Sequence, residues 1–235
     1  MTGTLLNVFT ILVGGSLGML FGARIPDRLK QTVVAGMGLF TAAMGFQMFF
    51  KTNNSLIVLG SLLIGTLLGE WWKIEDGLQR LGKFLEERFA RDTEAGASSR
   101  FVRGFLTASL LYCIGPMTIL GSINDGLRGD YNLLAVKSVL DGFASLAFAS
   151  TLGVGVLFSS MIVLVYQGGI SLMAGQLSAV LTDPMIAEMT AAGGVILVGL
   201  ALSSLLEIKP IRVGNMLPAL AIAPLIVWIL KLLGG

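Results

Sequence analysis

The sequence predicts an all-α, polytopic membrane protein, a transmembrane helical bundle of about eight spans. Three observations predict it. Of 235 residues, 54% are hydrophobic and only 13% are charged, against about 25% charged in an ordinary soluble domain. A mean hydropathy of +0.85 is spread over several separate apolar runs, each close to the ~20 residues that cross a bilayer. Between the runs, the ionisable residues collect in short turns and one long polar segment.

The first span is 5–21, with Gly14, Gly18 and Gly22 at the small-xxx-small spacing that lets helices approach closely. No basic n-region precedes it, so it reads as a retained span rather than a signal peptide. Arg24, Pro26, Arg28 and Lys30 close it, and 33–50 is the second span. After the polar turn 51–54 comes the third, 56–72, ending in Glu70, Trp71 and Trp72 at headgroup level. In 73–103, Ile74, Leu78, Leu81, Phe84, Leu85 and Phe89 recur at helical spacing among charges. This predicts an amphipathic helix on the membrane surface or against the bundle, then a flexible loop over 92–99. The fourth span, 101–123, is interrupted at Gly115–Pro116, and a polar turn over 124–130 follows. The nearly fifty apolar residues of 133–181 suit two crossings at about 1.5 Å per residue. They divide near Ser159–Ser160, into 135–158 and 161–181. Asp183, Pro184 and Glu188 form the next turn region. A short seventh span covers 193–206, and the eighth, 216–232, carries Pro218 and Pro224.

With eight spans, one side carries twelve basic residues (Arg24, Arg28, Lys30, those from Lys73 to Arg103, Lys209 and Arg212), against four on the other. The positive-inside rule makes the first side cytoplasmic, which places 73–100 in the cytoplasm and both termini outside. A seven-span arrangement, with 161–181 not crossing, weakens that asymmetry only slightly.

The polar centre lies between Tyr112 and Gly155. Lys137, Asp141 and Ser145 stand at i, i+4 and i+8 on one helix face, with Ser138 beside them. Ionisable groups inside a span are costly and usually mark solute or ion pathways. A proline within a span frees backbone groups that something must satisfy. Asp141 is the carboxylate expected to bind a cation or exchange a proton; a plain Lys137–Asp141 pair anchoring the helix end is the alternative. Asn124 and Asp125 read either as an exposed turn or as caps of the broken helix ends. Tyr166–Gln167 is a polar pair inside the sixth span, and Asn215 is a cap candidate.

A weak internal repeat adds to this picture. The segment 6–12 resembles 140–146, Ser16 falls on Ser150, and Glu70, Ile74 and Gly77 fall on Glu207, Ile211 and Gly214. Small residues precede prolines at Gly115–Pro116 and Ala223–Pro224. The halves 1–132 and 133–235 would be parallel four-span repeats placing Asn7 opposite Asp141 in register. Chance likeness of Gly-rich apolar segments is the other reading. The expected site therefore lies between the first and fifth spans, beside the breaks at Gly115, Pro116 and Pro224, with Asn7, Asp141, Ser145 and Gln167 as polar groups.

With no histidine and one cysteine, Cys113, disulfide frameworks, Cys/His zinc sites and histidine-based triads are excluded within the chain. Gly153-Val154-Gly155 is no dinucleotide fingerprint and no Walker lysine motif occurs, so no cofactor is expected and ATP-driven transport by this chain alone is disfavoured.

The run CIGPMTILGSINDGLRGD, with KSVLDGFASLAFASTLGVGVLFS, VYQGG and GTLLGEWWKIEDGL, resembles the bacterial membrane family catalogued as DUF 554. The likeness covers nearly the whole chain. It implies a bacterial inner-membrane protein and carries no catalytic residue across. Residues 138–150 are more faintly similar to the Asp-containing helices of lysine-exporter-type proteins, whose three-span repeats differ from the four-span halves here. The expected function is a small secondary transporter or channel-like permease for an ion or polar solute. The rival is a membrane scaffold recruiting a partner through 73–103. An enzyme is not expected. The expected partners are the lipid bilayer and a small solute, not nucleic acid; a homo-oligomer is left open.

Overall fold

The computed structural model describes residues 1–22, 24–89 and 97–233. Among these the chain is helical throughout its ordered elements: α1 (Thr2–Gly22), α2 (Asp27–Phe49), α3 (Ser55–Trp72), α4 (Ile74–Phe89), α5 (Ala97–Cys113), α6 (Pro116–Arg128), α7 (Asn132–Leu152), α8 (Gly155–Leu172), α9 (Ala174–Val180), α10 (Asp183–Leu200) and α11 (Ala219–Leu232). A π-helical turn, Ala201–Leu205, continues α10, and a 3-10 turn, Val213–Met216, precedes α11. Leu5, Phe9, Leu67, Phe143 and Val165 point outward from the long helices, as lipid-facing side chains do. The chain is a membrane-embedded helical protein.

It forms two compact units, one of residues 1–36 and 79–178, the other of 37–78 and 179–235. The units interleave the sequence halves 1–132 and 133–235 rather than following them.

In the first unit, α1 lies along α7 with glycine at the contact. A Cβ placed on Gly22 would sit 2.7 Å from the Ser150 carbonyl oxygen, and one on Gly18 2.9 Å from the Leu146 carbonyl carbon. Only hydrogen fits at these points, so the small-residue spacing read from the sequence is the contact surface itself. Gly3 meets Leu134, Gly14 meets Gly142, Gly18 meets Leu146 and Gly22 meets Ser150, so the two helices run parallel.

Among the described residues, seven helices are long and apolar enough to cross a membrane singly; α5 and α6 qualify together but are bent by 63° at Gly115. Their packing decides whether the pair crosses or turns back. Near the start of α5, Phe101 meets Gly155 at the start of α8; near the end of α6, Ser122 and Gly126 meet Ser171 at the end of α8. The broken pair therefore runs the length of one spanning helix, and counted as one span it brings the candidate spans among the described residues to eight.

Several boundaries differ from the sequence reading. The long apolar stretch divides at Gly153, with φ +82°, and not at Ser159–Ser160. Those serines donate to Val156 and Leu157 carbonyls one turn back, so they sit inside α8 without breaking it. Residues 124–128 continue α6, and the turn begins at Gly129, an αL cap with φ +68°. The seventh span starts at Asp183, with Pro184 in its first turn, so Glu188 lies inside it rather than in a turn. Pro224 stands within α11, which continues through it, so it is no break of the Gly115–Pro116 kind. The loop expected over 92–99 falls mostly outside the described residues, and α5 has already begun at Ala97.

In the second unit, α3 packs against the α11 segment through Gly65 and Gly69, and α2 meets α10 at Gly45 and Gly194. The Glu188 carboxylate is 1% exposed and accepts from Thr52 Oγ1 (2.6 Å), Asn53 N (2.7 Å) and Asn54 N (3.0 Å), fixing the turn before α3. Asn215 accepts from the Glu75 N–H at the start of α4, while Glu75 accepts from the Gly214 N–H. Asn215 thus caps α4 rather than its own helix. Beyond that start, α4 packs through Leu85 on Phe101 and Phe105 of α5, within the first unit. Its Leu81 and Phe84 remain exposed.

Candidate functional site

The polar centre assembles on α1, α5 and α7. Asp141 stands near the middle of α7, about 13 Å from its start and about 16 Å from its end at about 1.5 Å per residue, and is 8% exposed. Its Oδ2 accepts from Asn7 Nδ2 of α1 at 2.9 Å. The same oxygen pairs with the Lys137 ammonium, one turn earlier on α7 and 6% exposed. The Lys137 Nζ also lies 5.9 Å from the centroid of the Tyr112 ring on α5, at the reach of a cation–π contact. The Tyr112 hydroxyl is 2.8 Å from Ser145 Oγ, the next member of the α7 stripe. One chain of contacts therefore runs from Asn7 through Asp141, Lys137 and Tyr112 to Ser145.

The interruption after α5 borders this chain. Gly115 has φ +151° and ψ +152°, a region essentially confined to glycine. Pro116 opens α6 where its missing N–H costs nothing. The Tyr112 carbonyl, freed by the break, accepts from Thr118 Oγ1 at 3.1 Å. Tyr112 thus joins the break to the buried charges: its main chain is held by Thr118 and its side chain by Ser145.

Electrostatically the cluster is balanced. An isolated charge there would be strongly disfavoured, and each partner offsets the other only while they stay together. Asn7 spends its amide donor on Asp141; its Oδ1 makes no hydrogen bond among the described residues. No three or more His, Cys, Asp or Glu side chains cluster as metal ligands would among the described residues.

The whole chain can be placed among known proteins. The family profile described as "Protein of unknown function (DUF554)" matches residues 2–228. The chain belongs to the DUF554 family. It is 31% identical to the uncharacterized membrane protein YdfK of Bacillus subtilis (strain 168), over 100% of this chain and 99% of that one. It is 30% identical to the uncharacterized protein YqgA of Escherichia coli (strain K12), over 94% of each. No solved structure matches it.

The remaining sequence candidates in this DUF554 chain lie off the chain of contacts. Ser138 donates to the Leu134 carbonyl. Asp125 is buried and accepts from the Gly3 N–H at 3.0 Å and the Met1 amino group at 3.1 Å, so it caps α1 rather than a broken end or an exposed turn. Asn124 is half-buried beside it on α6. Gln167 is buried on α8, and neither of its amide atoms is hydrogen-bonded among the described residues. Pro224 belongs to the second unit. Tyr112 and Thr118 were not singled out from sequence. The available signal was a hydroxyl three residues on either side of Gly115, where a helix break leaves carbonyls to satisfy.

Proposed function

We propose that this protein is a small secondary transporter or channel-like permease of the bacterial inner membrane, with both termini outside, and that the Asn7–Asp141–Lys137 cluster is its solute site. The observation that carries the reading is the ion pair buried at the middle of α7, linked to the Gly115–Pro116 break through Tyr112. The pair is not needed to hold α1 on α7, because the glycine contacts at Gly14, Gly18 and Gly22 do that. Buried ion pairs can often be replaced by apolar residues with little loss of stability, so a pair kept inside a candidate span beside a broken helix favours function over structure. The parallel packing of α1 on α7, with Asn7 bonded to Asp141, supports the parallel-repeat reading, in which a transporter site forms where matched helices meet. The positive-inside count supports the orientation.

The test is uptake into proteoliposomes holding the full chain, with labelled sodium, rubidium, protons and single amino acids as probes. Flux above empty liposomes for one of them supports transport. No flux for any, with activity depending instead on α4, supports the scaffold.

A further inference from the structure

We infer that the solute taken at this cluster is a small zwitterion, a molecule bearing one ammonium and one carboxylate, rather than a lone inorganic ion; the inference rests on the transport reading above. The cluster holds one positive and one negative side chain, both buried, with 8% of Lys137 and 12% of Asp141 exposed. A lone cation or anion entering it leaves a net charge out of reach of water, which is expensive. A zwitterion leaves the sum at zero. Its ammonium takes the place of Lys137 on the Asp141 carboxylate, and its carboxylate takes the place of Asp141 on the Lys137 ammonium.

Two further features fit the exchange. Asn7 is 0% exposed and its Oδ1 accepts nothing among the described residues while its Nδ2 is held by Asp141. An acceptor so placed beside the carboxylate suits a further hydrogen of an ammonium bound there. The pair is i, i+4 on one helix, so the lysine stem can swing from Asp141 without backbone movement. The Tyr112 ring, already within reach of Lys137 Nζ, offers a face for whichever cation is displaced.

The experiment is thermal unfolding of the purified full chain in nanodiscs at fixed ionic strength. The probes are the common α-amino acids singly, with methylammonium, acetate and sodium chloride as one-charge controls. A saturable rise in Tm with at least one amino acid and none with the controls is expected. It should be lost in Lys137→Met/Asp141→Leu, which removes both charges together and is expected to stay folded, as its own cooperative melt would show. Asn7→Ala, which keeps both charges, should weaken the shift without abolishing it, and serves if the double variant does not fold. Stabilisation by methylammonium or sodium alone, a shift that survives in a folded double variant or is unchanged in Asn7→Ala, or no shift with any amino acid overturns the inference. If a lone ion is carried in the flux assay while no amino acid binds, the zwitterion falls and transport stands. If an amino acid binds but nothing is carried, transport falls and the zwitterion site stands.

Discussion

Replacing Gly18 with alanine adds one methyl group to the close glycine contact between α1 and α7. The added Cβ would lie 2.9 Å from the Leu146 carbonyl carbon and closer still to its oxygen, where carbon–oxygen contacts ordinarily settle at about 3.3–3.6 Å. The helix axes must then part by about 1 Å, since the Leu146 oxygen lies nearer than its carbon. Loosening of that size forfeits a quarter to a half of each affected van der Waals contact, at about 0.5–1 Å of gap. Overpacking of this kind costs about 1–3 kcal/mol. At roughly 2–4 °C per kcal/mol for a chain of this size, Tm should fall by about 2–12 °C. Gly36→Ala is the control, since no heavy atom lies within 4 Å of its added Cβ. Helix propensity alone makes it neutral or stabilising, by up to about 1 kcal/mol. Thermal melts of both purified variants in one detergent decide the matter. Equal stability of Gly18→Ala and Gly36→Ala would refute the glycine contact as the seam between α1 and α7.

Other outcomes follow from the same geometry. Gly115→Ala has open space for its Cβ but a backbone only glycine favours, so it should cost about 1–3 kcal/mol in denaturant unfolding through strain alone; a neutral result would mean the break relaxes freely. Glu188→Gln keeps the shape but loses the charge that three donors share, and should cost about 1.5–3 kcal/mol in the same assay. In a Cys113→Ser background, Asp130→Cys should react with an impermeant thiol reagent in intact cells while Arg100→Cys does not; labelling of both from one side would make α5–α6 a re-entrant loop instead of a crossing.

Much of the fold was legible because apolar run length and bilayer thickness are tied together, and the expected spans correspond to seven long apolar helices and one bent pair among the described residues. The boundaries that moved did so where a polar residue proved to be inward. Glu188 reads as a turn residue, yet three donors from the turn before α3 satisfy it. Asp125 likewise reads as exposed beside Gly126 and Gly129, although it is turned to the α1 N-terminus. Pattern along a chain cannot show a partner more than a hundred residues away. At the site, Lys137, Asp141 and Ser145 were legible as a stripe because all three lie on one helix, and Asn7 followed from its repeat offset. Tyr112 was not, because its role depends on the angle between α5 and α6, which a Gly-Pro step permits but does not specify. Gln167 and Ser138 share the composition of the site, yet neither is bonded into it.

The central claim is that the buried pair serves transport and not stability. It is tested most directly by reconstituting Lys137→Met/Asp141→Leu beside wild type at matched insertion, then measuring both Tm and flux of the solute that wild type carries. The prediction is a Tm close to that of wild type with flux reduced to the level of empty liposomes. Wild-type flux without the pair, or a protein that no longer folds once both charges are gone, would contradict it.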